Sequence, residues 1–294
     1  MVEQPATEAH DLRVPRVQLP LALAAAHLEL RPGDAFELVV SLATDDPAGA
    51  AADGADDRSW RPDDLAPVLA GAGFEFDEMV VAAGTVLVRA TRLRTLPDMV
   101  GPDMRLLVCG LNPSLYAADR GVGYARPGNR FWPAALEAGL VARDRDPLHA
   151  LTAGGVGMTD LVKRATVGAA ELTADEYRQG AARVERLVRW LRPAGVCFVG
   201  LAGWRAVVDA NAVAGLQPRP FGGRPAYVMP STSGLNAHAS RGDLAAHLAA
   251  AAAGAAPTGA ADVVGAGRTA AGASHLPARG RTGAGAGRTA GGRR

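Results

Sequence analysis

Apolar runs and amphipathic stretches alternate through the middle of the chain. Three apolar runs, 105–110, 196–200 and 226–229, predict strands, and the segment 156–161 reads as a fourth strand or an extended loop. Uninterrupted apolar strands separated by helices are typical of a parallel sheet that helices cover on both faces. We therefore expect a three-layer α/β/α domain with a central parallel sheet over residues 101–252.

Helix signals fall between these strands. A helix is predicted over 129–139, with an asparagine cap at its start and a glycine at its end. The capping box Thr173-Ala-Asp-Glu176 opens another, whose apolar residues repeat at helical spacing until Pro193. Two further helices are predicted over 201–211 and 243–252.

The front of the chain has a different pattern. A strand is predicted over 37–41, a short helix over 62–71 and two paired strands over 74–91. This order resembles the distal half of a class I methyltransferase, but the Gly-rich cofactor loop of such a domain is absent. We expect residues 1–98 to form a small, degenerate methyltransferase-like α+β appendage, and this absence argues against a working methyltransferase.

Charge and composition divide the chain in the same way. The formal net charge of +1 combines −9 over residues 1–100, +5 over 101–252 and +5 over 253–294. A basic middle and tail favour a nucleic-acid partner, although solvated faces are charged as well. The segment 253–294 is rich in Ala, Gly and Arg and has few large apolar residues, so we expect it to be disordered.

Other composition features restrict the class of protein. No run of 18 apolar residues is free of charge or glycine, and the first residues are acidic, so we expect a cytoplasmic, nucleoid-associated protein without membrane contact. Cys109 and Cys197 lie in apolar runs and are predicted to be buried free thiols. Two cysteines are too few for an iron–sulfur cluster held by four thiolates.

Two strand-end loops carry the candidate chemistry. The turn Gly110-Leu-Asn-Pro113 places the neutral amide of Asn112 at the carboxyl end of a strand, where open α/β sheets bind ligands. Taken alone, an Asn-Pro turn is usually structural. The loop Ser231-Thr-Ser-Gly-Leu-Asn236 also follows a strand and consists mostly of small polar residues. Both loops are predicted to flank one cleft.

In these loops the sequence resembles the mismatch-specific uracil-DNA and thymine-DNA glycosylases of the uracil-DNA glycosylase superfamily, over residues 101–250. The blocks are short, but their order and spacing are specific. The matching blocks are Gly110–Pro113, Gly121–Trp132, Gly157–Thr166 and Met229–Leu235. The resemblance implies a uracil-DNA-glycosylase-like fold and a monofunctional base-excision repair enzyme that acts on double-stranded DNA with a G·U or related mismatch. It implies no metal or organic cofactor.

The resemblance makes Asn112 the catalytic residue, which holds the attacking water. Uracil departs as a resonance-stabilised N1 anion, so the reaction needs electrostatic stabilisation and a positioned water more than a strong base. An amide takes no proton at neutral pH, and slow turnover is expected.

The resemblance also implies the contacts to the extruded base. Tyr124 would stack on the base, with packing into the core as the alternative, and backbone amides would donate to its edge. Ala117 stands where some relatives have a serine near the uracil edge. The predicted substrate-binding residues are Leu111, Ala117, Tyr124, Ala125, Ser231 and Ser233.

Contacts to the DNA itself are implied in the same way. Leu235 would fill the vacated stack as a wedge, with burial in the core as the alternative. The cations would bind phosphates, although each alone is more often a solvated surface charge. Asp160 would need Lys163 or Arg164 as a partner. The predicted DNA-binding residues are Arg126, Arg130, Lys163, Arg164, Gly234, Leu235 and Asn236.

Two functions follow from this sequence. The first is a monomeric glycosylase that removes uracil, with thymine or ethenocytosine as further substrates. The alternative is a catalytically weak protein that binds DNA lesions or abasic sites.

Overall fold

The computed structural model describes residues 10–41, 62–82 and 84–255. The predicted tail, 253–294, lies outside these residues except for its first three positions. Within the described ranges, no helix combines the length and the apolar character that crossing a bilayer requires. The same residues contain no group of three or more His, Cys, Asp or Glu side chains arranged to hold a metal ion.

The front of the chain is a small α+β unit with its own hydrophobic core, as predicted. Its strands are β1 (His10–Leu12), β2 (Ala35–Ser41), β3 (Phe74–Ala82) and β4 (Thr85–Arg92), in the order β1-β2-β4-β3. β1 runs parallel to β2, and the other neighbours are antiparallel. The methyltransferase resemblance of this unit stays a prediction.

Alternation along β2 explains how the front unit buries its core. Phe36, Leu38 and Val40 are buried and share one face of the sheet, because successive strand side chains point to opposite faces. Helices α1 (Leu19–Glu29) and α2 (Pro62–Gly71) contribute leucines to the same core.

The second sheet has five strands in the order β6-β5-β7-β9-β8. The first four strands are parallel, and β8 is an antiparallel edge. The strands are β5 (Leu106–Gly110), β6 (Val156–Asp160), β7 (Val196–Val199), β8 (Gly215–Leu216) and β9 (Ala226–Met229). All residues of β5 and β7 are buried, as expected for strands covered on both faces.

Helices on both sides of this sheet complete the predicted three-layer α/β/α architecture. The helices are α3 (Leu115–Arg120), α4 (Phe131–Glu137), α5 (Pro147–Thr152), α6 (Ala174–Leu191), α7 (Leu201–Val207) and α8 (Arg241–Gly254). Their apolar faces and the strands form one core, which includes Cys109 and Cys197. Both cysteines are buried free thiols, as predicted, and burial raises the pKa of Cys197 to about 12.

The predicted elements differ from the structure mainly at their ends. The segment 156–161 is a strand over Val156–Asp160 and not a loop. The helix predicted over 129–139 has Arg130 as its N-cap residue, although Asn129 Oδ1 accepts a hydrogen bond from the Phe131 amide at 2.9 Å. The helix predicted from 201 ends at Val207 and not at 211.

Gly180 allows close packing between α6 and the segment that follows β6. A Cβ at this position would overlap the carbonyl oxygen of Leu161, which is backbone and cannot rotate away. We expect Gly180→Ala to destabilise the protein by about 1–3 kcal/mol, since overpacking outweighs the gain of roughly 1 kcal/mol in helix propensity. Chemical denaturation monitored by circular dichroism measures this change.

Gly242→Ala in α8 is the matched control. The nearest atoms to a Cβ there lie at 3.8 Å, which is ordinary van der Waals contact. Its helix propensity gain is therefore expected to leave stability unchanged or slightly higher. An equal effect of both substitutions would show that the contact with Leu161 does not limit packing.

Candidate active site

Asn112 lies at the carboxyl end of β5 with its side-chain amide held in one orientation. Its Nδ2 donates to the carbonyl oxygens of Arg164 at 3.0 Å and Pro113 at 3.2 Å, and to Thr166 Oγ1 at 2.8 Å. Thr166 Oγ1 donates its own proton to the Gly168 carbonyl, so it acts as an acceptor toward Asn112. Carbonyl oxygens cannot donate, so these contacts fix which end of the amide is nitrogen.

The opposite end of the Asn112 amide is available to a ligand. No hydrogen bond within the described residues uses its Oδ1, and the side chain is half-buried. An amide oxygen accepts hydrogen bonds but does not act as a strong base. The group therefore suits a role in orienting a water or a hydroxyl.

Backbone pairing continues past the ends of β5 and β6 and builds one wall of the site. The Leu161 and Val162 amides donate to the carbonyl oxygens of Gly110 and Leu111, both at 2.9 Å. Farther along, the Thr166 amide donates to the Pro113 carbonyl at 3.2 Å. The two motif blocks 110–113 and 157–166 are therefore held side by side, and Thr166 reaches Asn112 for this reason.

A cavity opens beside this wall, and Tyr124 and Asp160 line it. Tyr124 has a left-handed backbone conformation, with φ of 58°, and its ring stacks on Phe131 with centroids 4.1 Å apart. Its hydroxyl is buried and has no hydrogen-bond partner among the described residues. A Cβ on Gly110 would lie 3.0 Å from this hydroxyl and would overlap Asp160 Oδ1. Glycine at 110 thus lets both polar groups converge on the cavity.

Asp160 is the carboxyl group of this cavity, and no described side chain pairs with it. Burial raises the pKa of Asp160 to about 6, with Asp98 contributing in the same direction and Lys163 and Arg183 opposing it. Desolvation disfavours the charged form of an acid, which explains the direction. The carboxyl therefore changes its protonation state near pH 6.

Backbone amides in the same region are also available to donate hydrogen bonds to a ligand. No hydrogen bond within the described residues uses the N–H groups of Leu111, Tyr124 or Ala125. These are the amides predicted to donate to a base edge. Ala117 is buried in α3 and, like Leu111 and Ala125, is not among the residues that line the cavity, so its contact with a base stays a prediction.

The loop after β9 presents Leu235 to solvent. This side chain is 89% exposed, so the alternative of burial in the core is wrong. Arg130 holds the loop in shape: its guanidinium donates to the Asn236 carbonyl at 2.6 Å and the Ser233 carbonyl at 3.2 Å, and also to the carbonyl of Ala239. These contacts hold the loop in a conformation that leaves the Leu235 side chain in solvent.

Small polar side chains within the loop support the same shape. Ser231 Oγ accepts from the Ser233 amide and Ser233 Oγ from the Leu235 amide, both at 3.3 Å. A Cβ on Gly234 would come within 2.9 Å of the Gly128 carbonyl oxygen, so this position admits no side chain without movement. The predicted substrate residues Ser231 and Ser233 therefore stabilise the loop that carries Leu235.

The sequence of this region matches one known family of proteins. The sequence model described as the uracil DNA glycosylase superfamily matches residues 97–253, which include the wall, the cavity and the exposed loop. The chain belongs to the uracil DNA glycosylase superfamily. Among solved structures it is similar to a Methanosarcina acetivorans protein provisionally named a uracil DNA glycosylase, with 19% identity. That match covers 53% of this chain and 96% of the other, with a TM-score of 0.38.

As a member of this superfamily the protein acts on DNA, and the cations predicted to bind its phosphates differ in exposure and in their partners within the protein. Lys163 is only 12% exposed and pairs with Asp98 at 2.9 Å. Arg164 is half-exposed and pairs with Glu176 at 2.6 Å. Arg126 is exposed without an ion pair among the described residues. Lys163 and Arg130 therefore have structural roles in this glycosylase domain, and Arg126 remains available to a phosphate.

Several site residues escaped the sequence analysis because their partners are distant in the chain. Thr166 closes a motif block, but its contact with Asn112 spans 54 positions. The pairing with Lys163 or Arg164 that would offset the cost of an acid at 160 near DNA is not present, since other carboxylates hold both cations. The sequence did carry one signal for Asp160: an acidic residue is unfavourable close to the phosphates of DNA. The structure places this residue in the cavity.

Proposed function

We propose that this protein is a monofunctional, monomeric DNA glycosylase that rotates uracil out of a G·U mismatch and hydrolyses its N-glycosidic bond. Thymine and ethenocytosine are further candidate substrates. The observation that carries the proposal is the Asn112 amide, whose orientation is fixed and whose Oδ1 has no hydrogen-bond partner among the described residues; the exposed Leu235 supports it. Superfamily membership supports the same class of reaction.

Hydrolysis of the N-glycosidic bond needs a positioned water, and the Asn112 amide can position one. The C1′–N1 bond breaks and its electron pair leaves with uracil N1, while a water oxygen bonds to C1′. The water proton passes to solvent or to the departing base. Asn112 Oδ1 accepts a hydrogen bond from this water and aligns it, which lowers the barrier by positioning without proton abstraction.

The proposed contacts to the base come from polar groups at and beside the cavity. The free amides of Leu111, Tyr124 and Ala125 donate to carbonyl oxygens of the base, and the Tyr124 hydroxyl supplies a further polar contact. Leu235 inserts into the duplex and occupies the space that the extruded nucleotide leaves.

Replacing Asn112 with alanine tests the assignment of the catalytic group. We expect Asn112→Ala to slow single-turnover excision from a G·U duplex by about a hundredfold or more, because the positioned water is lost. Affinity for an abasic product duplex should stay within a few-fold of wild type.

Asn211→Ala, at an exposed position outside the site, is the matched control and should cleave at the wild-type rate. An unchanged rate in Asn112→Ala would refute the role of Asn112. Tight abasic binding by a wild-type protein that releases no base would favour the alternative, a protein that binds lesions.

A second test concerns the wedge. Leu235→Ala should weaken binding to the G·U duplex about tenfold and reduce the fluorescence rise of 2-aminopurine placed beside the lesion, since the vacated stack is no longer filled. Leu216→Ala removes a leucine that is 62% exposed on β8 and should change neither signal. Equal losses in both variants would indicate a general effect of apolar surface and not a wedge.

The charge of Asp160 predicts the pH dependence of excision. Below its pKa of about 6 the carboxyl is protonated, and above it the carboxylate repels the departing uracil anion. Single-turnover excision should therefore slow about tenfold as pH rises from 5 to 8, equivalent to roughly 1.4 kcal/mol. Asp160→Asn should remove this dependence, whereas Asp103→Asn, at an exposed position before β5, should keep it. An identical pH profile in Asp160→Asn would exclude Asp160 as its source.

A further inference from the structure

Asp98 is a buried carboxylate where the front unit joins the catalytic domain. Its Oδ1 accepts from Lys163 Nζ at 2.9 Å and Thr159 Oγ1 at 2.6 Å, and its Oδ2 accepts from Arg183 Nη1 at 2.6 Å. The side chain is 5% exposed. A buried charge with this many partners fixes the segments that carry them, because breaking one contact leaves another charge unpaired.

Arg183 extends this cluster to the end of β6. Its Nη2 donates to the Asp160 carbonyl at 2.6 Å and to Thr159 Oγ1 at 3.1 Å. The backbone of the cavity-lining residue Asp160 is thereby tied to Asp98. The cluster lies behind the cavity and supports it.

Thr95 makes a second connection, three residues earlier. Its hydroxyl donates to the carbonyl oxygen of Lys163, and its own carbonyl accepts from His27 Nε2 of α1 at 3.1 Å. Burial and then the nearby Arg92 charge lower the pKa of His27 to about 4, so the ring is neutral and acts as a fixed donor at Nε2. Thr95 therefore links a helix of the front unit to the segment that begins at Lys163.

Backbone hydrogen bonds also join the front unit to the linker, the segment 93–98 that leads into the catalytic domain. The Asp98 amide donates to the Gly71 carbonyl at 2.8 Å, and the Leu93 amide donates to the Gly73 carbonyl at 2.9 Å. Trp190 on α6 contacts the hydrophobic cores of both units. The linker is thus held between the two units as part of one packed structure.

The segment that Thr95 and Asp98 hold is the one that orients the candidate catalytic amide. Lys163 precedes Arg164, whose carbonyl accepts from Asn112 Nδ2 at 3.0 Å, and Thr166 Oγ1 accepts from the same nitrogen at 2.8 Å. The contacts therefore run without a gap from α1 of the front unit to Asn112.

We propose that Thr95 and Asp98 are positioning residues for Asn112, and that the front unit serves as a built-in support of the catalytic loop. The proposal rests on the proposed function of Asn112. Thr95 lies outside the segment 97–253 that matches the superfamily, so this part of the support comes from the chain that precedes the glycosylase domain.

Thr95→Val tests the proposal with a nearly isosteric change in the full chain. Loss of the hydroxyl frees the Lys163 carbonyl, and we expect single-turnover excision of uracil to slow by about tenfold to a hundredfold, as for a small misplacement of a catalytic group. Affinity for an abasic duplex should not change. Thr95→Ser keeps the hydroxyl and should restore the wild-type rate.

Thr152→Val is the matched control. Thr152 also donates its hydroxyl to a backbone carbonyl, that of Leu148 at 2.9 Å, but in α5 and without contact to Asn112. This variant should cleave at the wild-type rate. A loss equal to that of Thr95→Val would overturn the proposal, because the effect would then be one of general stability.

Nuclear magnetic resonance of the Asn112 side-chain amide gives a readout that does not require activity. In Thr95→Val its two N–H signals should shift, while signals of α8 stay in place. Suppose that the signals shift in Thr95→Val but that Asn112→Ala excises uracil at the wild-type rate. The positioning of Asn112 by Thr95 would then stand, and the proposed catalytic function of Asn112 would be rejected. Unchanged signals and an unchanged rate in Thr95→Val, with excision lost in Asn112→Ala, would reject the positioning alone.

Discussion

The backbone pairing of β5 with β6 beyond their strand ends is the constraint on which the site depends. The hydrogen bonds from Leu161 and Val162 to Gly110 and Leu111 place two loops side by side. Because they join backbone groups, they do not depend on the side chains that face the cleft. The position of Asn112 is fixed in this way, and the paired loop supplies two of the partners of its amide, the Arg164 carbonyl and Thr166 Oγ1.

The same constraint explains how much the sequence could predict. Strands with uninterrupted apolar runs were placed to within a residue of their ends, and motifs at strand ends led to Asn112 and to the exposed Leu235. These signals are local. The contacts that local signals could not reveal are those of Arg130 and Lys163, whose side chains bond to residues between 65 and 109 positions away. Residue type and local spacing cannot distinguish a buried cation from a phosphate contact when the partner is so distant.

The internal contacts of these cations change the electrostatic description of the protein. The net charge of +5 over residues 101–252 suggested a basic surface for DNA, yet Arg130, Lys163 and Arg183 are engaged inside the fold. Their contacts stabilise the wedge loop and the wall behind the cavity. Fewer cations of this domain are therefore free of internal contacts than its net charge implies, and Arg126, exposed and without an ion pair among the described residues, is one of them.

Neutral and titratable groups have separate positions in this site, and the separation has a mechanistic consequence. Asn112 holds its orientation at any pH between 5 and 8 because its partners are two carbonyls and a hydroxyl. Asp160, in the cavity, changes charge near pH 6. In the proposed reaction a base enters the cavity neutral and becomes an anion only when the glycosidic bond breaks, so ionised Asp160 would oppose the transition state more than it would oppose binding. The same repulsion acts on the anion after cleavage and speeds its departure. Under the proposed function one carboxyl group slows bond cleavage and speeds product release, while the orientation of the Asn112 amide does not change with pH.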